Sequence, residues 1–505
     1  MHFTQPWMGL SGIMSAIMIR TTPVDIHLFL SATLLMAATA VHAEIAFENC
    51  ELVAPGGVGG IKAQCATFEV PENHGLPGGR KITLNIAKVP ARAGAPEADP
   101  IVFLAGGPGQ AAVESYPQVA SAFRTLLADR DVILVDQRGT GKSHPLRCPL
   151  PDASDPAAPM PDREELQRLA RECLDALDDD ADVAYYTTRD YIADLEAIRQ
   201  TLGVEQWNLV GGSYGTRVGL SYIQAHPARI RTAVLDGVVP QDLALGQDHG
   251  TNLDVALAAQ FERCRTDAAC AAAFGDPART LEELRRRYRE APTTVIIPDP
   301  RSHHPVEVAL NHETLAGTVR LYAYSPETMA LLPLLLHQAR EGDPQPLLAQ
   351  ARMIFSEIEE LIAHGMQLSV TCSEDAPWLT QVMDDTSLIG AELIGVLQAQ
   401  CEIWPVQRAP AAFKQPVDAD LPILLLSGEF DPVTPPAYAE RAMTTMGNAR
   451  HLVARGQGHI VEIRGCMPKL ITQFIRDAKP AELDASCLDT LAAPPFYLDF
   501  NGSAP

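Results

Sequence analysis

The chain has 505 residues, 47% of them hydrophobic and 20% charged, a balance that argues against a disordered chain and for one that buries a sizeable core. Its length exceeds what one compact core usually needs, so a main domain carrying a large insertion is expected. The net charge of -24, with no Lys/Arg-rich run to offset it, argues against a nucleic-acid partner, because a polyanion would be repelled.

Residues 1–43 read as a targeting segment. Arg20 supplies a positive n-region, 28–41 an apolar stretch without charge, and Val41-His42-Ala43 a small-residue cleavage site. Cleavage after Ala43 is expected, with Met18 an alternative start, and the mature protein is expected to be periplasmic or secreted. The stretch 28–41 falls short of the roughly 20 apolar residues that cross a bilayer, so no stable membrane insertion is expected after processing. All ten cysteines lie beyond Ala43, as in an oxidising compartment. They form local couples: Cys50 with Cys65, Cys148 with Cys173, Cys264 with Cys270, Cys372 with Cys401, and Cys466 with Cys487. Sequence does not fix connectivity, and nearest-neighbour pairing is the expectation; a bridge closing a loop of about 15 residues stabilises by roughly 3 kcal/mol.

From about residue 81 to 236, short β-branched runs alternate with helical patterns, the signature of a parallel sheet with crossover helices. The runs 101–104, 132–135 and 207–210 are nearly continuous apolar strands, each ending in a turn, as buried parallel strands do. The Pro-rich stretch 149–161 reads as a surface loop, and 190–202 has Tyr191, Leu195, Ile198 and Leu202 at helical spacing. Beyond Pro240 the pattern becomes mainly helical (253–265, 281–289, 313–324, 329–340, 346–364), interrupted by a possible hairpin of 294–297 with 306–310. This region, 240–416, is expected to form a helical lid inserted between the two parts of the sheet domain, 44–239 and 417–505. The sheet resumes at 422–426, with a further strand near 451–453.

Gly211-Gly212-Ser213-Tyr214-Gly215 matches G-x-S-x-G between an apolar strand and the helix expected at 216–225. A nucleophile on so sharp a turn has a strained backbone, and its neighbours must be small for strand and helix to approach. The alternative is a structural glycine-rich turn. The elbow points to an α/β-hydrolase fold; a serine hydroxyl needs a base to take its proton, and in that fold the chain order is Ser, then Asp or Glu, then His. Asp431, in the Asp-Pro-Val-Thr-Pro turn, and His459, in Gly-Gln-Gly-His, fill those places, with room between them for a helix (435–446) and a strand. Glu429 competes as the acid but precedes the turn; His451 lies in or beside a strand and reads as structural. Ala105-Gly106-Gly107-Pro108-Gly109-Gln110 follows an earlier strand where this fold sets its oxyanion-hole loop, and Gly107 and Tyr214 are the candidate N–H donors. A nucleotide-binding loop is not expected, because no G-K-[ST] closes this stretch and the G-K-S at 141–143 lacks the first glycine. Arg138 is expected to tie its loop to a carboxylate under the site. No H-E-x-x-H is present, and neither a metal nor a cofactor is expected.

These residues resemble the prolyl and tripeptidyl aminopeptidases of the α/β-hydrolase superfamily over nearly all the mature chain. Gly106-Gly107-Pro108-Gly109 is similar to their H-G-G-P-G loop, with Ala105 where the prolyl enzymes often have histidine. The run 136–143 is similar to their D-x-R-G-x-G-x-S turn, and 211–215 to their G-G-S-Y-G elbow. Thr371-Cys372-Ser373-Glu374-Asp375, followed by Cys401, is similar to a segment of the exported tripeptidyl branch. The resemblance implies release of residues from the free N-terminus of short peptides, without metal or cofactor. A substrate ammonium then needs a carboxylate partner, and Glu374 and Asp375 beside Cys372 are the candidate anchor, the alternative being an acidic pair that caps a helix or faces solvent. A carboxylesterase or lipase with the same triad, and a catalytically silent binding protein of this fold, are the alternatives.

Overall fold

The structure is a computed structural model and describes residues 45–53, 60–149, 162–299, 302–380, 386–390 and 392–503. The expected leader at 1–43 and most of the Pro-rich loop at 149–161 lie outside the described residues.

Among the described residues nine strands form the main sheet: β1 (Glu48–Leu52), β2 (Ile61–Pro71), β3 (Lys81–Val89), β4 (Ile101–Leu104), β5 (Val132–Val135), β6 (Trp207–Gly212), β7 (Ile230–Asp236), and, after a separate antiparallel hairpin of β8 (Thr293–Pro298) and β9 (Pro305–Leu310), β10 (Ile423–Gly428) and β11 (Ala449–Ala454). Their spatial order is β1-β2-β3-β5-β4-β6-β7-β10-β11. The first three strands are antiparallel to their neighbours, and β5 through β11 run parallel. This is the α/β-hydrolase fold expected from the sequence, a mostly parallel sheet flanked by helices.

The period of two along each strand divides the interior into two cores. Val102, Ile133, Ile423 and Leu425 face one, and Ile101, Phe103, Leu134, Leu424 and Leu426 the other. Burying each such Leu or Ile side chain contributes roughly 1.5–3 kcal/mol. Strands buried on both faces read as continuous apolar runs, which is why β4, β5, β6 and β10 stand out in the sequence. The edge hairpin β1–β2 does not, since it alternates buried with exposed positions and carries polar residues.

The chain leaves β4 to form β5 on one side and later β6 on the other, so the C-terminal ends of β4 and β6 lie side by side at a switch point where α/β sheets open a crevice. Helix Thr188–Thr201 begins two residues before the expected 190 because Thr187 and Asp190 form a capping box.

The segment 240–416 divides by its packing. Residues from Leu253 to Leu348, including the hairpin, build a core of their own, whereas Ala363, Met366, Leu368, Val370 and Trp404 return to the first core of the sheet. Disulfides join Cys50 to Cys65, Cys148 to Cys173, Cys264 to Cys270, Cys372 to Cys401 and Cys466 to Cys487. The Cys372–Cys401 bond links helix His364–Glu374 to helix Glu392–Cys401. Among the described residues no helix is long and apolar enough to cross a membrane.

Candidate active site

Ser213 stands between β6 and helix Tyr214–Ala225 with φ 54° and ψ -124°, a conformation that L side chains rarely adopt. The glycines of its motif are explained by contact. A Cβ on Gly215 would meet the Leu104 carbonyl oxygen at 2.1 Å, and one on Gly211 would meet the Gly215 oxygen at 2.6 Å. The helix therefore seats directly on the end of β4, and the turn thrusts Ser213 out of it. The Ser213 N–H donates to the Asp236 carbonyl at the end of β7 (2.8 Å).

The loop after β4 closes over the same point. A Cβ on Gly106 would lie 3.3 Å from Ser213 Cβ. Gly107 has φ 105°, and a Cβ there would meet Gly109 N at 2.7 Å, so this tight turn tolerates only glycine at that position.

Asp431, in the turn after β10, is buried and fully occupied. Its Oδ1 accepts from Val433 N and Thr434 N, both at 2.8 Å, and its Oδ2 accepts from Thr434 Oγ1 at 2.8 Å and from His459 Nδ1 at 2.8 Å. With Nδ1 committed to Asp431, Nε2 is the nitrogen left to accept a proton. Burial alone would raise the Asp431 carboxyl, but the His459 charge and the hydrogen bonds outweigh it and hold the carboxyl below its ordinary range. For His459 burial acts downward, yet Asp431, and behind it Asp236, hold the imidazole above its usual value.

The loop bearing His459 is clamped from three sides. Glu429 Oε2 accepts from Gly456 N (2.7 Å), and Phe430 N donates to the Gln457 carbonyl (2.9 Å). Gln457 Nε2 donates to the Ala492 carbonyl of the C-terminal tail at 3.1 Å. From the inserted segment, the Tyr324 carbonyl accepts His459 N–H at 2.8 Å, and the Tyr324 ring meets the imidazole edge-on with centroids 5.3 Å apart. A Cβ on Gly458 would strike that Tyr324 oxygen at 2.3 Å.

The structure thus brings Asp431 and His459 into direct contact and sets both beside the Ser213 turn. Gly237, next to Asp236, lies between them: a Cβ there would meet His459 Cε1 at 3.0 Å. Glu429 makes its contact with the histidine loop and not with the imidazole, and His451 Nε2 pairs with Ser427 Oγ at 3.0 Å. Arg138 is buried and grips Asp194 through Nε (2.7 Å) and Nη2 (2.6 Å).

Glu374 and Asp375 sit differently from the cleft-facing anchor expected of them. They are 1% and 0% exposed, on and just after helix His364–Glu374. Asp375 Oδ1 accepts from Arg217 Nη1 (2.6 Å), Lys414 Nζ (3.0 Å) and Leu245 N (2.8 Å), while Glu374 accepts from Thr188 N and Oγ1, both at 2.8 Å. The protein's own donors occupy both Glu374 oxygens and Asp375 Oδ1, as burial of a charge requires, while Asp375 Oδ2 is buried without a hydrogen-bond partner among the described residues.

Sequence reasoning missed Thr434, Tyr324, Gly237 and Asp236. Asp236 Oδ2 accepts from Val461 N and Glu462 N, both at 2.7 Å, bracing the chain just past His459, and burial pushes its carboxyl up to about 6. The Asp-Gly pair at the end of β7 was the one legible signal.

An acid limb follows from these charges. With His459 as the general base its neutral form is the competent one, and its raised pKa then predicts that kcat/KM falls as pH drops through a midpoint above about 6.5. A pH–rate profile with full activity well below that value would contradict it.

Residues 99–287 match the family model of the alpha/beta hydrolase fold, and 386–487 match that of TAP-like protein. Serine protease Hip1 of Mycobacterium tuberculosis is 25% identical over 489 residues, covering 87% of this chain and 89% of that one. Tripeptidyl aminopeptidase of Streptomyces lividans is 24% identical over 493 residues, covering 89% and 88%. A proline iminopeptidase of Neisseria gonorrhoeae is 32% identical over 145 residues, a local match covering 29% of this chain and 34% of that one.

Proposed function

Because the chain belongs to an α/β-hydrolase peptidase family, we propose that it is an exported serine aminopeptidase that cleaves short peptides near their free N-terminus, of the prolyl or tripeptidyl type, through an acyl-enzyme on Ser213. The observation that carries this reading is the Asp431 Oδ2–His459 Nδ1 hydrogen bond of 2.8 Å beside a serine at φ 54°. Ser213 Oγ attacks the scissile carbonyl carbon while His459 Nε2 takes its proton; the carbonyl oxygen becomes an oxyanion that the N–H groups of Gly107 and Tyr214 receive. As the tetrahedral species collapses, the C–N bond breaks and His459 returns the proton to the leaving amine. Water, activated by the same histidine, then hydrolyses the acyl-enzyme and restores Ser213. Asp431 keeps its negative charge throughout and stabilises the imidazolium.

Export is supported by the cysteines, all ten of them paired, since such bonds persist in oxidising compartments. A panel of free and N-acetylated peptides beside a simple ester tests the specificity. Free peptides are expected to be cleaved and acetylated ones at least about thirty-fold less well, the loss typical of removing one partner of a buried charge pair. Equal rates on both would contradict an amine requirement, and turnover of the ester alone would make the protein an esterase.

A further inference from the structure

Glu374 stands at the end of a buried hydrogen-bonded chain that leads to the residue after the nucleophile. Gln137 Nε2 donates to Tyr214 Oη at 3.1 Å, Tyr214 Oη and Thr188 Oγ1 are 2.6 Å apart, and Thr188 Oγ1 donates to Glu374 Oε2 at 2.8 Å. Thr188 N–H occupies the other carboxylate oxygen, Oε1, at 2.8 Å. All four side chains are buried. The direction of the chain follows from its ends. An amide nitrogen only donates, so Tyr214 Oη accepts from Gln137 and passes its own hydrogen to Thr188, whose hydrogen goes to Glu374. An ionised Glu374 satisfies every member.

Protonation breaks this order. Oε1 faces an N–H, so the proton goes to Oε2 and points at Thr188 Oγ1. Thr188 must then turn its hydrogen toward Tyr214, and the phenol hydrogen loses its acceptor unless the Gln137 amide turns over.

We propose that Glu374 is a positioning residue for the reaction: ionised, it orients the chain that tethers the Tyr214 ring and so fixes the Tyr214 backbone N–H; protonated, it reverses the chain and loosens that donor. This rests on the reading of Tyr214 N–H as an oxyanion donor and of Ser213 as nucleophile. The groups that face Glu374 are Asp375 beside it, Tyr214 and Arg217 from helix Tyr214–Ala225, and Lys414 from the short helix Ala411–Lys414. Burial first, and then Asp375, push the Glu374 carboxyl up to about 7, against the Thr188 hydrogen bonds and the Arg217 charge, so the two states exchange near neutral pH.

The test is the acid limb of log(kcat/KM) against pH, on a peptide with a free amine and on a small neutral ester. In the wild type protonated His459 is inactive and protonated Glu374 leaves the enzyme roughly tenfold slower, so the limb is expected to steepen near pH 7 to a slope between one and about 1.5 on both substrates. In Glu374→Gln the amide oxygen still accepts Thr188 N–H while its NH2 donates to Thr188 Oγ1, fixing the reversed chain at every pH. That variant is expected to show a slope of about one, with kcat lowered roughly tenfold on both substrates and KM unchanged, a part of the 10²- to 10³-fold loss that follows removal of a whole oxyanion donor. Tyr214→Phe cuts the chain at its other end, is expected to give the same slope of about one, and decides the matter if Glu374→Gln does not fold. A slope of one throughout in the wild type, or a steepened limb that survives in the variants, overturns the proposal. Covalent labelling by a fluorophosphonate separates the two levels: an adduct on Ser213 with the same limb in wild type and variants defeats the relay alone, and no adduct on Ser213 in the wild type defeats the reading beneath it.

Discussion

Ser213→Ala lowers kcat/KM for peptides by roughly 10⁴- to 10⁶-fold and leaves the fold intact. The loss is expected to be large because, in the proposed mechanism, the hydroxyl is the atom that forms the acyl bond. Residual rate over water survives from the oxyanion donors and substrate binding, on the order of 10³- to 10⁴-fold. The fold persists because Ser213 is held through its backbone N–H, which donates to the Asp236 carbonyl and which alanine retains. Steady-state kinetics beside a thermal unfolding curve checks both halves. Activity within about tenfold of wild type would place the nucleophile elsewhere.

The second large effect separates Asp431 from Glu429. Asp431→Asn is expected to cost about 10⁴-fold in kcat, because an amide facing Nδ1 favours the wrong imidazole tautomer and no longer offsets the imidazolium charge. Glu429→Gln keeps an amide oxygen for Gly456 N–H and is expected to lose less than about tenfold. Kinetics on the two variants reads the difference. A reversed order, with Glu429→Gln the more damaging, would make Glu429 the acid and the 2.8 Å contact of Asp431 with His459 incidental.

The legible parts of this protein are those where local pattern and tertiary role coincide. Strands β4, β5, β6 and β10 announce themselves because both faces are buried, and the elbow because close approach of helix and strand allows only glycine at 211 and 215. The order Ser213, Asp431, His459 is readable because each residue follows a strand whose end reaches the same sheet edge. Contacts made by segments distant in sequence leave no such trace. Tyr324 reaches His459 through a backbone carbonyl, which any residue could supply, and Thr434 is one polar residue in a turn. Glu374 and Asp375 show the opposite case: an adjacent acidic pair suggests a binding site, yet their partners Thr188, Arg217 and Lys414 are each far away in sequence. Helix His364–Glu374 lies within the segment expected to form a lid, and only the folded chain shows Met366 and Val370 packed into the core of the sheet.

The central claim is that Ser213 is an acylated nucleophile activated by His459. Mass spectrometry of the mature protein after reaction with a fluorophosphonate tests it most directly. One adduct per chain, on the peptide containing Ser213 and absent in His459→Ala under the same conditions, is the expected result. An adduct on another serine, such as Ser427 beside His451, or undiminished labelling of Ser213 without His459, would contradict it.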